Sequence, residues 1–199
     1  MRFTNVTKRV LSLAVAAAVA ATAVVVPVAP KKAEAAKSYT AYLCFASKSY
    51  NGVAANHNDG DRSKGVFNGN KKTSWSGVKL SNASFKKGSF TFTVSASGKN
   101  LKKFASDKGW NSIYVDTSLP GTDRSKLTVS KVTLKIDGKT VKTIKKPALT
   151  PDPGKTDKFT QIMILNSWNN YAEKKCKAAS ITTMPKKSIS VTVTGKLKK

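Results

Sequence analysis

The most constraining feature of the sequence is a pair of alternating apolar and polar segments, residues 127–136 and 139–144, joined by Asp137-Gly138. Asp and Gly both tolerate positive φ, so this dipeptide predicts a tight β-hairpin turn. A strict two-residue period cannot place all the apolar residues of the first segment on one face, because they change from odd to even numbers: Leu127, Val129, Val132, Leu134 and Ile136. This change of parity predicts a β-bulge near Ser130-Lys131.

Other segments repeat the short β pattern, and we expect strands over residues 39–46, 75–80, 89–95, 110–116, 159–165 and 188–194. The first of these has apolar residues on both faces, which predicts a central strand. Helical spacing predicts one short helix over residues 100–108, whereas residues 145–158 hold three prolines and predict an irregular loop. The polar stretch 47–73 has little periodicity. Because no βαβ rhythm occurs, we expect an all-β, antiparallel β-sandwich or jelly roll.

The N-terminus has the pattern of a bacterial export signal. Basic residues come first, an apolar run follows over residues 10–28, and Ala33 and Ala35 offer small side chains to a signal peptidase. Ala contributes little to membrane insertion, so we favour cleavage over the alternative of an uncleaved transmembrane anchor. We therefore expect a signal peptide over residues 1–35 and a single domain over residues 36–199. The product should be secreted and extracellular, or associated with the cell surface, without a stable membrane anchor after cleavage.

The charge balance is strongly basic, with 36 Lys and Arg against 10 Asp and Glu. The leader holds five of the former and one of the latter, so cleavage leaves a formal net charge of +22 (31 basic against nine acidic residues). Such a charge attracts polyanions. After the leader only Arg62 and Arg124 are arginines, and the lack of Arg forks in an exported chain argues against a nucleic-acid partner. The lysines either keep the surface soluble or adhere to an anionic cell-wall polymer.

The sequence favours a protein that is not an enzyme. His57 is the only histidine, no nucleophile motif surrounds any Ser or Cys, and most carboxylates stand in loop contexts. Zinc ligands are lacking, and the loop around Asp59 lacks the spacing of an EF-hand, so neither a metal nor another cofactor is predicted and structural calcium has no motif to support it. The even cysteine count permits one disulfide between Cys44 and Cys176, with a buried Cys44 thiol as the alternative.

Aromatic residues in or beside polar segments supply the strongest binding signal. Sugar rings present C–H faces that pack on aromatic rings, while amides and carboxylates bond the sugar hydroxyls. Ligand-binding candidates of this kind are Tyr50, Asn56, Asp59, Trp75, Trp110, Asn166, Trp168 and Tyr171. The alternative is that the large aromatic side chains close the ends of the sandwich core.

Four segments, "TAYLCFASKSYN", "GSFTFTVSA", "LTVSKVTLKIDGKTV" and "TQIMILNSWNN", carry a resemblance. In this order they are similar to secreted carbohydrate-binding β-sandwich modules, of jelly-roll type, from Gram-positive anaerobic bacteria. By position, Ser49-Tyr50 match a Ser-aromatic pair of those modules, and Asn166 and Trp168 match a late segment. The resemblance implies a non-catalytic module that recognises a polysaccharide or a cell-surface glycan through loop aromatics. The alternative function is a basic envelope protein that adheres to anionic wall polymers through distributed lysines.

Overall fold

A computed structural model of the chain describes residues 37–47, 78–107, 109–151, 159–166 and 181–199, together with the backbone of residues 50–53, 65–68 and 71–73. All of them belong to the unit that runs from Ala35 to Lys199. The predicted signal peptide lies outside the described residues.

The described part of the chain is built almost entirely from β-strands. In chain order they are β1 (Ser38–Ser47), β2 (Tyr50–Val53), β3 (Gly65–Asn68), β4 (Lys71–Thr73), β5 (Lys79–Ser81), β6 (Ala83–Lys86), β7 (Gly88–Ser97), β8 (Trp110–Pro120), β9 (Leu127–Ile136), β10 (Lys139–Lys145), β11 (Leu149–Pro151), β12 (Phe159–Asn166) and β13 (Ser188–Leu197). One α-helical turn, α1 (Lys102–Ala105), follows a 3-10 turn at Lys99–Leu101, and a second 3-10 turn occupies Gly121–Lys126.

The strands form two antiparallel sheets. The order of the first sheet is β11-β12-β8-β1-β2-β3-β4, with β6 paired to β1 beside β2, and the order of the second is β10-β9-β13-β7-β5. The chain changes sheets at β5, β6 and β7, as strands do at the corners of sandwiches. The predicted all-β antiparallel sandwich with one short helix is confirmed, and β1 is a central strand as expected.

Apolar side chains from both sheets meet in one core. The ring of Phe85 on the first sheet stacks on Phe92 of the second at a centroid distance of 5.4 Å. In β7 and β13 every second residue faces this core, because side chains alternate between the faces of a strand. Burial of this alternating set fixes the register of the sheets: Phe92, Val94 and Ala96 in β7, and Ile189, Val191 and Val193 in β13.

The predicted hairpin and bulge are both confirmed. Asp137 and Gly138 have φ angles of 49° and 82°, and they connect β9 to β10. In the pairing of β9 with β13, Lys131 lies opposite Thr194, but Val129 lies opposite Gly195. Ser130 is therefore the extra residue of the bulge.

Other expectations need correction. Residues 145–158 were expected to be irregular, but Leu149–Pro151 forms β11 and pairs with β12. Pro151 is tolerated there because β11 is an edge strand, where a missing N–H leaves no ladder bond unmade. The helix is shorter than predicted: the α-helical turn ends at Ala105, and Gly109 follows with a φ of 111°. Strands β2, β3, β4 and β6 were not predicted either, since their sequences show little alternation.

Candidate functional site

Of the eight ligand-binding candidates from the sequence, two have described side chains, Trp110 and Asn166. Tyr50 begins β2 and is described by its backbone alone. A further set lies outside the described residues: Asn56, Asp59, Trp75, Trp168 and Tyr171. Cys176 lies outside them as well, so the disulfide stays a prediction, while Cys44 is fully buried in β1.

Trp110 lies inside the protein, with only 5% of its surface exposed. Its ring meets Phe45 edge-on at a centroid distance of 6.3 Å and packs on Phe104 of α1 at 6.4 Å. The indole Nε1–H donates a hydrogen bond to the backbone oxygen of Thr183 at 3.0 Å. This satisfies the one polar atom that the ring buries. The position of Trp110 fits the core alternative, because almost none of the ring is accessible to a sugar.

Asn166 ends β12 and is 3% exposed. It lies opposite Ser112 of β8, and its Nδ2 group donates a weak hydrogen bond to the sulfur of Met163 at 3.8 Å. The side chain is therefore held within the first sheet.

The most uniform exposed surface of the described residues is the outer face of the second sheet. At the positions between core residues, each of its five strands carries only Ser, Thr or Lys, all exposed or half-buried. We call this surface the Ser/Thr/Lys face, and its members are Lys79, Ser81, Ser89, Thr91, Thr93, Ser95, Ser97, Thr128, Ser130, Lys131, Thr133, Lys135, Thr140, Thr143, Lys145, Ser188, Ser190, Thr192, Thr194 and Lys196.

Strand register arranges these side chains in rows across the sheet. One row consists of four threonines from four neighbouring strands, Thr93, Thr192, Thr133 and Thr143. The hydroxyls of Thr93 and Thr192 are 2.8 Å apart and share a hydrogen bond. In the next row Thr91 Oγ1 donates to Thr194 Oγ1 at 3.3 Å. Such cross-strand hydroxyl pairs stabilise the sheet and hold the oxygens in a regular array.

The Ser/Thr/Lys face has no carboxylate to balance its lysines. The acidic residues of the described part lie elsewhere: Asp107, Asp116, Asp123 and Asp137. Of these, Asp116 is buried in the first sheet, and Asp107 accepts a hydrogen bond from the Ser47 hydroxyl. Among the described residues, the positions of the face carry five lysines and no carboxylate, which gives these positions a positive charge.

Asp123 and Asp137 are both engaged by local partners, and Asp137 accepts a hydrogen bond from the backbone of Ser188 at one end of the face. Lys126 Nζ approaches Asp123 Oδ1 to 2.8 Å, and this hydrogen-bonded pair lowers the pKa of the Asp123 carboxyl. Burial raises the pKa of Asp137, but hydrogen bonds from three backbone N–H groups outweigh that effect and hold the pKa below its usual value. Both carboxylates thus remain ionised, and both are engaged locally.

A groove of about 520 Å³ lies at one end of the Ser/Thr/Lys face. Most of its lining surface is apolar, although six of the eight lining residues carry a hydroxyl or an ammonium group: Ser89, Phe90, Thr91, Thr128, Ser130, Thr194, Gly195 and Lys196. Hydroxyls both donate and accept hydrogen bonds, and an ammonium supplies a positive charge. The groove can therefore bond polar hydroxylated groups and hold an anionic group beside them.

The bulge and one glycine build this groove. Ser130 interrupts the ladder between β9 and β13, and its Oγ donates to the backbone oxygen of Thr194 at 3.0 Å. At Gly195 a Cβ atom would stand 2.5 Å from the backbone oxygen of Thr128 and 2.8 Å from Cζ of Phe90. The ring of Phe90 thus occupies the space that any side chain at position 195 would need, so the close approach requires glycine.

Sequence reasoning did not single out this face as a site. The alternation of residues 89–95 and 188–194 places Thr91, Thr93, Ser190 and Thr192 opposite the apolar residues of each strand, but it does not show that they form one surface. The informative signal was compositional: the outward positions of five strands contain neither an acidic nor an apolar residue. Only the register of the strands brings those positions together.

Two further properties concern the described residues alone. Their helices are all too short to cross a membrane. They also contain no group of three His, Cys, Asp or Glu side chains placed to hold a metal ion.

Neither a family profile, nor a curated protein, nor a solved structure matches this chain.

Proposed function

We propose that this protein is an exported, non-catalytic β-sandwich that binds an anionic polysaccharide or cell-wall polymer along the Ser/Thr/Lys face. The observation that carries the proposal is the composition of that face: hydroxyls and ammonium groups from five strands, without a carboxylate. Lysines attract the repeated negative charges of a polymer, and a uniform sign of charge favours a polyanion over a neutral or cationic partner.

The hydroxyls give such a surface a second mode of contact. Strands lie about 4.8 Å apart, so five strands span about 19 Å, and the eight residue steps from Ser188 to Lys196 span about 27 Å. A surface of this size accommodates several repeat units of a polysaccharide. Polymer hydroxyls can exchange hydrogen bonds with the Ser and Thr rows while the lysines contact the anions, and the groove beside Lys196 can receive one unit more closely.

The proposal differs from the sequence-based expectation in the residues that contact the ligand. The resemblance implied stacking of sugar rings on loop aromatics, but Trp110 packs in the core, and other predicted aromatics lie outside the described residues. The described residues therefore favour binding through charges and hydroxyl groups over binding through the stacking of sugar rings. An anionic polysaccharide fits both views, whereas a wall polymer such as polyglycerol phosphate corresponds to the alternative function, adhesion through distributed lysines.

Binding to defined polymers at two ionic strengths tests the proposal. Affinity electrophoresis of the purified protein should show retardation by polyglycerol phosphate and by polygalacturonate at 50 mM salt, and little retardation by neutral dextran. Retardation should fall steeply at 500 mM salt, because salt screens exposed charges over a few ångströms. If neither anionic polymer retards the protein at 50 mM salt, the proposal is wrong.

Two variants of equal net charge distinguish binding through the face from attraction by the total charge of the protein. Lys131→Gln/Lys135→Gln removes two lysines from the face, whereas Lys86→Gln/Lys87→Gln removes two exposed lysines outside it. The first variant should weaken polymer binding about three- to tenfold at low salt, since each exposed ion pair contributes up to about 1 kcal/mol. The second should change binding less than twofold. An equal loss in both variants would show attraction through total charge rather than through the face.

A further inference from the structure

Two lysines of the Ser/Thr/Lys face lie directly opposite each other. In the pairing of β9 with β10, Lys131 is the partner of Lys145, and both side chains are exposed. Directly opposed residues have Cβ atoms about 5 Å apart, and like charges at such positions repel each other and destabilise the sheet. Neither lysine forms an ion pair with a carboxylate of the described residues. The pair therefore costs stability in the unliganded protein, and a bound anion relieves that cost.

The remaining lysines of the face are not paired in this way. Each of them lies opposite only Ser or Thr on the neighbouring strands: Lys79, Lys135 and Lys196. The repulsion is thus confined to one end of a single row, in which Thr91, Thr194, Lys131 and Lys145 follow one another across four strands.

A third lysine adjoins the pair in an uncommon backbone conformation. Lys146 has a φ of 49°, in the left-handed region that Gly and Asn adopt more readily than Lys. Its N–H donates to the backbone oxygen of Ser130 at 3.1 Å, which ties the end of β10 to the bulge beside Lys131. Strained residues of this kind cluster at binding sites. A position that served the turn alone would favour Gly or Asn, so the lysine at 146 points to a role for its charge.

The next residue in the row supplies a hydrogen-bond donor. Thr194 lies opposite Lys131, and its Oγ1 accepts a hydrogen bond from Thr91, so its own O–H can donate to a ligand. None of the positions of the face is an arginine, whose planar fork suits carboxylates. Ammonium groups act instead as point charges, which are common binders of phosphate.

The charge of the pair restricts the ligand further. A carboxylate or a phosphodiester carries one negative charge and leaves one ammonium of the pair uncompensated. A phosphomonoester carries about 1.5 to 2 negative charges at pH 7 and has three strong acceptor oxygens. Its charge therefore matches the two lysines, and its oxygens can accept from both ammonium groups and from the Thr194 hydroxyl.

We propose that the Lys131–Lys145 pair, with Lys146 beside it, binds a phosphomonoester group of the anionic polymer. The inference rests on the proposed function and narrows it, from anionic polymers in general to those that carry phosphate monoesters at a chain end or on a sugar. The two ammonium groups bind two phosphate oxygens and Thr194 donates to the third, while the rest of the face contacts the adjoining part of the polymer.

Titration of the full-length, 15N-labelled protein with three small anions tests the site. Glycerol phosphate is a phosphomonoester, whereas dimethyl phosphate and acetate carry one charge each. At constant ionic strength, glycerol phosphate should shift the amide signals of Lys131, Lys145 and Lys146 and should bind at least about fivefold more tightly than either monoanion, the effect of one further exposed ion pair. Equal affinities for glycerol phosphate and dimethyl phosphate overturn the inference, because they show attraction to any anion.

Two variants of equal net charge separate the pair from the other lysines of the face. Lys131→Gln/Lys145→Gln should weaken the binding of glycerol phosphate at least about fivefold. Its Tm should stay unchanged or rise, since the repulsion is removed. Lys79→Gln/Lys135→Gln is the control, and it should change binding less than about twofold because neither lysine belongs to the pair. An equal loss in the two variants overturns the inference.

The role of Lys146 is tested by Lys146→Asn. Asn tolerates the left-handed conformation, so the Tm should be kept or raised, while the lost charge should weaken glycerol phosphate binding about two- to fivefold. Unchanged binding in this variant overturns the assignment of Lys146 to the site.

The source of the phosphate and the proposed function are tested separately. Short glycerol phosphate oligomers with a terminal phosphomonoester should bind more tightly than the same oligomers after phosphatase treatment, and equal binding overturns the assignment to a polymer group. If glycerol phosphate does not bind at the pair while polygalacturonate still retards the protein at 50 mM salt, the inference fails and the proposed function stands. If neither polymer retards the protein, the proposed function fails even where glycerol phosphate binds at the pair.

Discussion

Asp137 and Ser188 are hydrogen-bonded to each other twice. The backbone N–H of Asp137 donates to the carbonyl oxygen of Ser188 at 2.9 Å, and the N–H of Ser188 donates to Oδ1 of Asp137 at 2.8 Å. The N–H groups of Lys186 and Lys187 also donate to the same carboxylate. One side chain thus joins the turn of the β9–β10 hairpin to the start of β13, and so sets one end of the sheet that carries the Ser/Thr/Lys face.

This carboxylate makes stability depend on pH in a defined direction. Burial raises the pKa of Asp137, but its three backbone donors lower the pKa by more, so the folded value lies below that of an unfolded chain, which is about 3.9. The stabilisation is therefore fully present above the unfolded pKa and is lost as the pH falls through the folded pKa.

Asp137→Asn tests this because Asn tolerates the positive φ of the turn but carries no charge. We expect the variant to lose about 1 kcal/mol of unfolding free energy at pH 7, the size of a charged hydrogen bond weakened to a neutral one. The difference between the two proteins should shrink at pH 3. Urea denaturation at both pH values measures it, and an undiminished difference at pH 3 would contradict the assigned role of the charge.

Gly195 should be intolerant of even a methyl group. In Gly195→Ala the new Cβ would meet the backbone oxygen of Thr128 and the ring of Phe90, and backbone atoms cannot move as cheaply as the end of a flexible side chain. We expect a loss of about 1–3 kcal/mol in unfolding free energy. The neighbouring Thr194→Ala is the control, and its cost should stay within about 1 kcal/mol because its side chain lies on the outer face. Equal costs would mean that the groove does not depend on close packing at position 195.

The β9–β10 hairpin was predictable because its determinants are local: Asp137-Gly138 sets the turn and the parity of the apolar residues locates the bulge. Strand β11 was not predictable, because its pairing with β12 is a non-local contact and Pro151 argues against a strand unless the edge position is known.

In the candidate site, too, local features could be predicted from the sequence and non-local ones could not. Alternation showed which way Thr93 and Thr192 point, but the threonine row exists only once register places them side by side. From the sequence, Trp110 fits either a core position or a ligand-binding position. Only its packing on Phe104 in the structure distinguishes the two.

The threonine row gives a prediction about hydroxyls that is independent of charge. Thr93→Val/Thr192→Val keeps the branched shape, the β-propensity and the net charge, and removes two hydroxyls that are 2.8 Å apart. Polymer binding should weaken about two- to fivefold at every salt concentration, since each weak hydrogen bond contributes about 0.5 kcal/mol or more. The slope of log affinity against log salt should not change, because that slope reports the number of charges engaged. A changed slope would indicate that the variant has disturbed the lysines, and an unchanged affinity would show that the hydroxyls do not contact the polymer.

Substitutions of Trp110 test whether this buried ring belongs to the core or to a ligand site. Trp110→Phe keeps most of the ring contacts with Phe45 and Phe104 but removes the donor to the Thr183 carbonyl, so we expect a loss of about 1–2 kcal/mol in unfolding free energy. Trp110→Ala removes the ring as well and should cost about 3–5 kcal/mol. In both variants the folded protein should bind polyglycerol phosphate with unchanged affinity, because Trp110 is not part of the Ser/Thr/Lys face. Thermal unfolding and affinity electrophoresis on the same preparations measure the two effects. Normal stability with weakened ligand binding would instead assign Trp110 to a ligand site, since a ring that closes the core cannot be removed without destabilising it.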